Sequence, residues 1–89
     1  MTYTLSYHKL VVTEDIPKLS AEIKSRIKES IENKLTTHPE LYGKPLRRSL
    51  NGYRKLRVGD YRVIFCIEGS VVKIFVIKHR SVVYIHPIS

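Results

Sequence analysis

The stretch formed by residues 53–65 constrains the fold of this 89-residue chain more than any other. It reads as two β-strands joined by a tight turn at residues 58–60, because glycine adopts the positive φ that such turns require and aspartate is a common turn residue. Side chains alternate between the two faces of a strand, so Lys55 and Arg57 share one face while Leu56 lies on the other.

The returning strand adds a third cation to this pattern. Val63 and Phe65 belong to an apolar set, whereas Arg62 points the opposite way. If the apolar set faces the core, Lys55, Arg57 and Arg62 converge on the opposite, open face. Three cations on one face of a hairpin predict a surface for a phosphate backbone.

The charge of the whole chain indicates the same kind of partner. Sixteen Lys and Arg stand against eight Asp and Glu, which gives a formal net charge of +8 and a pI of about 9.8. So large an excess of cations favours polyanionic partners, either nucleic acid or an acidic protein. The length and a hydrophobic content of 43% predict one globular domain that spans residues 1–89.

Cysteine and histidine usage predicts a protein without a metal or another cofactor. A lone cysteine, Cys66, excludes an internal disulfide and argues against a thiolate metal site, and its place within a strand indicates a packed apolar side chain. His8, His38 and His86 show no metal-ligand spacing. The sequence shows no signal peptide and no apolar run of about 20 residues, so we expect a cytoplasmic protein without a membrane partner.

An amphipathic helix precedes the hairpin. It begins after Ser20, a plausible N-cap, runs to about residue 35, and carries aliphatic residues at intervals of four: Ile23, Ile27, Ile31 and Leu35. Before it, residues 2–8 alternate as a half-buried strand does, and a short helix is expected to end near Ile16, before a kink at Pro17.

The remaining segments complete the predicted fold. Residues 36–51 read as a loop, and a two-residue turn at Gly69-Ser70 leads to residues 71–77, the strand expected to be buried best. The order is therefore β-α-α-β-β-β. It predicts an α+β fold, a small, mostly antiparallel four-stranded sheet with two helices packed on one face and the cations on the other.

Two blocks of sequence resemble a known family. Residues 46–64 read Leu-Arg-Arg-Ser-Leu-Asn-Gly-Tyr-Arg-Lys-Leu-Arg-Val-Gly-Asp-Tyr-Arg-Val-Ile and resemble the central block of the RelE/ParE toxin superfamily. Residues 79–84 read His-Arg-Ser-Val-Val-Tyr and resemble its C-terminal block. The resemblance implies the toxin of a toxin–antitoxin pair, with an acidic antitoxin as partner. RelE-type members cleave mRNA in the ribosomal A site without a metal, whereas ParE-type members inhibit DNA gyrase.

The resemblance also implies roles for individual residues. Lys55 and Arg62 match the catalytic cations of the strands, Tyr84 matches the C-terminal tyrosine, and Arg80 stands where a further catalytic arginine is expected. His79 is a reserve candidate for proton transfer, because imidazole titrates near pH ~6.5. Contacts with RNA, the ribosome or an acidic antitoxin are expected from five further cations: Arg47, Arg48, Arg54, Arg57 and Lys78.

These residues suit the cleavage of RNA, whose 2′-hydroxyl supplies the nucleophile. Arginines can stabilise the charge that develops on the phosphate, and Lys55 or Tyr84 is expected to move the proton. Two alternatives remain open: a ParE-type toxin that acts on gyrase without chemistry, and a basic module that binds RNA without cutting it. We also expect the open face to expose Ile64 and Cys66 to the antitoxin.

Overall fold

The sheet is mixed, and its order is β1-β5-β4-β3-β2. The computed structural model describes residues 2–42, 44–45 and 52–82. Its strands are β1 (Thr4–Tyr7), β2 (Lys44–Pro45), β3 (Arg54–Val58), β4 (Tyr61–Glu68) and β5 (Val71–His79). Only the β1–β5 pair is parallel among these strands, so the predicted α+β class and mostly antiparallel sheet are confirmed. In the described parts of the chain, no helix is long and apolar enough to cross a membrane.

The main helix follows the prediction closely. Helix α1 (Ala21–Ser30) begins where the backbone N–H of Ile23 donates to Ser20 Oγ over 3.3 Å, so Ser20 is the N-cap. A π-helical segment, Ile31–Leu35, continues it to the predicted end. Three of the four aliphatic residues in its stripe are buried and the fourth, Ile23, packs at the edge of the core.

The segments on either side of this helix differ in how well they were predicted. The N-terminal turn is a π-helical segment, Val11–Asp15, followed by a 3-10 turn, Ile16–Lys18, so the expected short helix that ends near Ile16 is confirmed. Residues 36–51 are not wholly a loop, because they include helix α2 (Pro39–Tyr42) and strand β2. Strand β2 is two residues long and pairs with β3, too short a segment to produce an alternating pattern.

The core lies between the helices and one face of the sheet. It joins the helical residues Ile27, Ile31 and Leu35 to the inward residues of the central strands, among them Val63 and Phe65, which are fully buried. Strand β4 is the best-buried strand. The sequence predicted that residues 71–77 would be buried best, and this prediction was wrong. The reason is position: β4 lies between two long strands, while β1 pairs with only the first half of β5.

A β-bulge interrupts the pairing of β4 with β5. Ile64 lies opposite Val76, but the next residue, Phe65, lies opposite Ile74, so Phe75 is the additional residue of β5. As a result Ile74 and Ile77 both pack in the core under the helices, although they are three residues apart.

The open face has a small apolar cluster of its own. Ile64 is 2% exposed and Cys66 is 6% exposed, so the expectation that both would be exposed was wrong. Tyr53 and Phe75 pack in the same cluster, with their rings edge to face and the centroids 5.1 Å apart. Burial, together with the neighbouring Glu68 carboxylate, raises the pKa of the Cys66 thiol. Cys66 is therefore a packed apolar residue, as predicted from the sequence.

Candidate functional site

The register of the hairpin brings the predicted cations together. Arg57 on β3 lies directly opposite Arg62 on β4, and Lys55 lies opposite Ile64. Alternation then places Lys55, Arg57 and Arg62 on the open face, away from the core residues Leu56 and Val63. Like charges directly opposite each other destabilise a sheet, so an anion between them would relieve a built-in repulsion.

These side chains line one small depression, which we call the cationic depression. Its volume is about 170 Å³, and its walls are Lys55, Arg57, Asp60, Tyr61, Arg62 and Arg80. Four cations and a single carboxylate therefore line the depression. Lys55 and Arg62 are half-buried, whereas Arg57 and Arg80 are exposed. A cavity with this balance of charges is suited to a phosphate group.

The turn between β3 and β4 positions the two exposed arginines. Gly59 adopts a φ of 59°, a conformation open to glycine at little cost, and its carbonyl oxygen accepts from Arg57 Nε over 3.4 Å. The backbone N–H of Arg80 donates to the carbonyl oxygen of Asp60 over 2.7 Å, and Arg80 Nε lies 3.9 Å from Asp60 Oδ1. The end of β5 is thus tied to the turn, which keeps Arg80 at the rim of the cationic depression.

Lys78 forms an ion pair with a carboxylate that the sequence did not predict. It lies opposite Arg62 on the sheet, but its Nζ is 2.6 Å from Oδ1 of Asp15, a residue only 6% exposed. The other carboxylate oxygen of Asp15 accepts from the backbone N–H of Ile77 over 2.9 Å. Asp15 therefore holds both the edge of β5 and the Lys78 ammonium. No local pattern could reveal it, since its partners are more than 60 residues away in the chain.

His79 lies on the other side of the sheet from the cationic depression. It is opposite Tyr61 in the register, and the two rings meet edge to face with centroids 5.2 Å apart. Its Nδ1 accepts from the backbone N–H of Ser81 over 3.1 Å and lies 2.8 Å from Ser81 Oγ. The structure therefore does not bring His79 together with Lys55 and Arg62.

The other predicted contact residues are placed differently. Arg54 is half-buried and, by strand alternation, belongs to the face that the helices cover, opposite Phe65. Arg47, Arg48 and Tyr84 lie outside the described residues. Among the residues that are described, no group of three or more His, Cys, Asp and Glu side chains could hold a metal ion.

Comparison with known proteins identifies the family. The family model of the ParE toxin of the type II toxin–antitoxin system parDE matches residues 7–84. The chain belongs to the RelE/ParE toxin superfamily. Two curated relatives from Mycobacterium tuberculosis agree: toxin RelE is 34% identical over 88% of this chain and 86% of its own, and toxin RelG is 34% identical over 94% and 98%. The resemblance found in the sequence is thus confirmed.

Solved structures place this RelE/ParE toxin among toxins bound to antitoxins. The RelBE2 toxin–antitoxin complex of M. tuberculosis matches with a TM-score of 0.82 and 31% identity, over 91% of this chain and 94% of the other. The archaeal RelE–RelB complex of Pyrococcus horikoshii matches with a TM-score of 0.66 and 26% identity, over 91% and 98%. The chain is therefore a RelE-family toxin of a type II toxin–antitoxin system.

Proposed function

We propose that this toxin is a ribosome-dependent endoribonuclease that cleaves mRNA in the A site without a metal. The observation that carries the proposal is the cationic depression, in which Lys55, Arg57, Arg62 and Arg80 surround a space of about 170 Å³. The curated relatives named RelE and RelG support the same choice within the superfamily.

The proposed reaction needs only groups that the toxin and the RNA possess. The ribose 2′-hydroxyl attacks the adjacent phosphorus as its proton is removed, and the bond to the 5′-oxygen of the next nucleotide breaks as that oxygen takes up a proton. The products are a 2′,3′-cyclic phosphate and a 5′-hydroxyl. Negative charge accumulates on the phosphate oxygens in the transition state, and the guanidinium groups of Arg62 and Arg80 stabilise it.

Proton transfer needs a side chain that can accept and donate a proton. Lys55 is the amine that lines the cationic depression, so we assign it the removal of the 2′-hydroxyl proton, with Tyr84 of the C-terminal block as the other candidate. His79 becomes a weaker candidate, because it lies across the sheet from Lys55.

The first prediction tests Arg62. In Arg62→Ala we expect cleavage of mRNA on ribosomes to fall by about 10²–10³-fold, because one donor to the transition-state charge is lost. The measurement is the mapping of transcript 5′ ends after induction of the chain. The thermal unfolding midpoint should not fall, since the substitution removes one of two facing positive charges.

A matched control separates this effect from a general loss of charge. Lys18→Ala removes a cation from an exposed turn that does not line the cationic depression, so it should cleave as the unaltered toxin does. Undiminished cleavage by Arg62→Ala would remove the central catalytic assignment.

A second candidate function rests on the family model, which is that of a ParE toxin. In this alternative the toxin inhibits DNA gyrase by binding, and the cations serve recognition rather than chemistry. Induction would then produce DNA damage while transcripts remain intact. Cuts confined to translated frames would instead establish the endoribonuclease.

We also propose the chemistry of the partners. A cognate acidic antitoxin would cover the cationic depression and neutralise the toxin, since its carboxylates compete with phosphate for the same guanidinium groups. The ribosome and its mRNA are the proposed targets, which sets the place of action in the cytoplasm. An antitoxin complex in which Arg62 remained accessible would contradict this route to neutralisation.

A further inference from the structure

A second cavity lies on the helix side of the same hairpin turn. Its volume is about 320 Å³, and we call it the hairpin-end cavity. Helix α1 supplies one wall, and the β3–β4 turn with the end of β5 supplies the rest. The lining residues are Ile23, Arg26, Ile27, Val58, Gly59, Asp60, Tyr61 and His79.

The composition of the hairpin-end cavity is that of a site for a flat, partly polar ligand. Aliphatic side chains from α1 and β3 provide apolar surface, and the edge-to-face rings of Tyr61 and His79 provide an aromatic wall. Arg26 lies beside the turn, since a Cβ added at Gly59 would sit 3.6 Å from Arg26 Nη2. Ligand sites commonly combine apolar walls with a few polar groups in this way.

The polar groups of the hairpin-end cavity offer both donors and an acceptor. The guanidinium of Arg26 donates, and the exposed carboxylate of Asp60 accepts. His79 Nδ1 accepts from the backbone of Ser81, so in the neutral ring the proton is on Nε2, which is a donor. Nucleobases present complementary donors and acceptors on their edges and an apolar face for stacking.

The hairpin-end cavity and the cationic depression adjoin at the end of the sheet, because Asp60 and Tyr61 line both. We infer that the hairpin-end cavity binds the base of a nucleotide next to the phosphate held in the cationic depression, an inference that rests on the proposed endoribonuclease function. A single RNA strand would thus bend around the hairpin turn, with its backbone on the open face and one base against Tyr61 and His79.

The experiment fills the hairpin-end cavity without changing charge. Ile23 is half-buried and lines the cavity, so Ile23→Phe places a ring in the space that the base would occupy. Binding is measured with a six-nucleotide RNA that carries 2′-fluoro groups and therefore cannot be cleaved, and with an abasic hexamer of the same backbone. We expect Ile23→Phe to weaken binding of the first about tenfold and to leave the second unchanged.

Two further variants keep the outcome decisive. Leu19→Phe is the matched control, because it adds a ring at a half-buried position that does not line the cavity, and it should bind both hexamers as the unaltered toxin does. Arg26→Ala serves if Ile23→Phe fails to fold, and it should weaken only the hexamer that carries bases. Equal weakening of both hexamers would identify Arg26 as a phosphate contact and overturn the base site.

The same variants distinguish the failure of this inference from failure of the proposed function. Two results overturn the base site even if mRNA is cleaved on ribosomes. One is normal binding of the base-carrying hexamer by Ile23→Phe. The other is an unaltered toxin that binds the base-carrying hexamer no more tightly than the abasic one. A toxin that cleaves nothing on ribosomes, yet loses affinity for bases in Ile23→Phe, overturns the endoribonuclease and retains the base site.

Discussion

Two kinds of cation lie side by side on the open face of this toxin, one with a carboxylate partner and one that faces another cation. Lys78 belongs to the first kind, because its Nζ is 2.6 Å from the buried carboxylate of Asp15. Arg57 and Arg62 belong to the second, because they face each other across two strands. Their positions on one sheet face are adjacent, so the difference lies in what each side chain meets. Removing the carboxylate of a buried pair costs stability, whereas facing cations cost stability as they stand and attract anions.

The stabilising role of Asp15 gives a second prediction. In Asp15→Ala the Ile77 N–H loses its acceptor and the Lys78 ammonium loses its partner, so we expect a loss of about 2–4 kcal/mol in the free energy of unfolding. Urea unfolding followed by circular dichroism measures it.

Asp60→Asn is the control for Asp15, because Asp60 is exposed and its ion pair with Arg80 Nε is long, at 3.9 Å. It should change the free energy of unfolding by less than about 1 kcal/mol. A loss in Asp15→Ala no larger than in this control would contradict the assignment of Asp15 as a support of β5.

At the scale of elements, helix α1 is the best example of local determination. Its N-cap, its aliphatic stripe and its end were all predictable, because each depends on residues within one or two turns of one another. The hairpin was predictable for the same reason, since its register follows from the turn at Gly59. Lys55 and Arg62 could therefore be assigned to one face from alternation alone.

The elements that the sequence did not predict depend on distant partners. The carboxylate that binds at Ile77 comes from residue 15, and strand β2 exists only because it pairs with β3. The burial of β4 likewise follows from its two neighbours in the sheet rather than from its own composition. His79 is a reserve candidate for proton transfer on the chemistry of its side chain alone, and its place across the sheet from Lys55 follows from the register of β5, which the sequence did not predict.

A third prediction concerns the start of α1. In Ser20→Ala the backbone N–H of Ile23 loses its side-chain acceptor, so we expect a loss of about 0.5–2 kcal/mol in the free energy of unfolding. Chemical denaturation measures the change. Ser25→Ala, at an exposed position inside the same helix, is the matched control and should be neutral or slightly stabilising, because alanine has the higher helix propensity. Equal effects of the two substitutions would argue against the cap.

For the whole molecule, the cations behind the net charge of +8 are unevenly distributed. Four cations line the cationic depression on the open face, whereas cations such as Lys24 and Lys28 are exposed on α1. We expect the first group to dominate binding to a single strand of RNA, because four cations line one small depression, whereas Lys24 and Lys28 line a mostly apolar cavity together with Glu32.

Salt dependence tests this expectation and gives the last prediction. If four cations of the depression neutralise phosphates, the logarithm of the binding constant for a single-stranded RNA should fall against the logarithm of salt concentration with a slope of about −3. Fluorescence anisotropy with an uncleavable 2′-fluoro strand measures it. Arg57→Ala should reduce the slope by about 0.7. Lys18→Ala, which removes a charge from another exposed position, should leave the slope unchanged. An equal reduction in Lys18→Ala would show that net charge, and not the position of the cations, determines binding.

The additional residue at Phe75 decides the sidedness of the C-terminal part of the sheet. If Phe75 were accommodated in a regular strand instead of a bulge, every later side chain of β5 would exchange faces: Lys78 would turn toward the helices, and His79 would lie on the open face. A chain lacking Phe75 would instead pair regularly, with the imidazole and the ammonium on the faces they have now. The bulge therefore absorbs one residue and preserves the phase of the strand, and only an insertion or deletion that no bulge absorbs would place the imidazole rather than the ammonium on the open face.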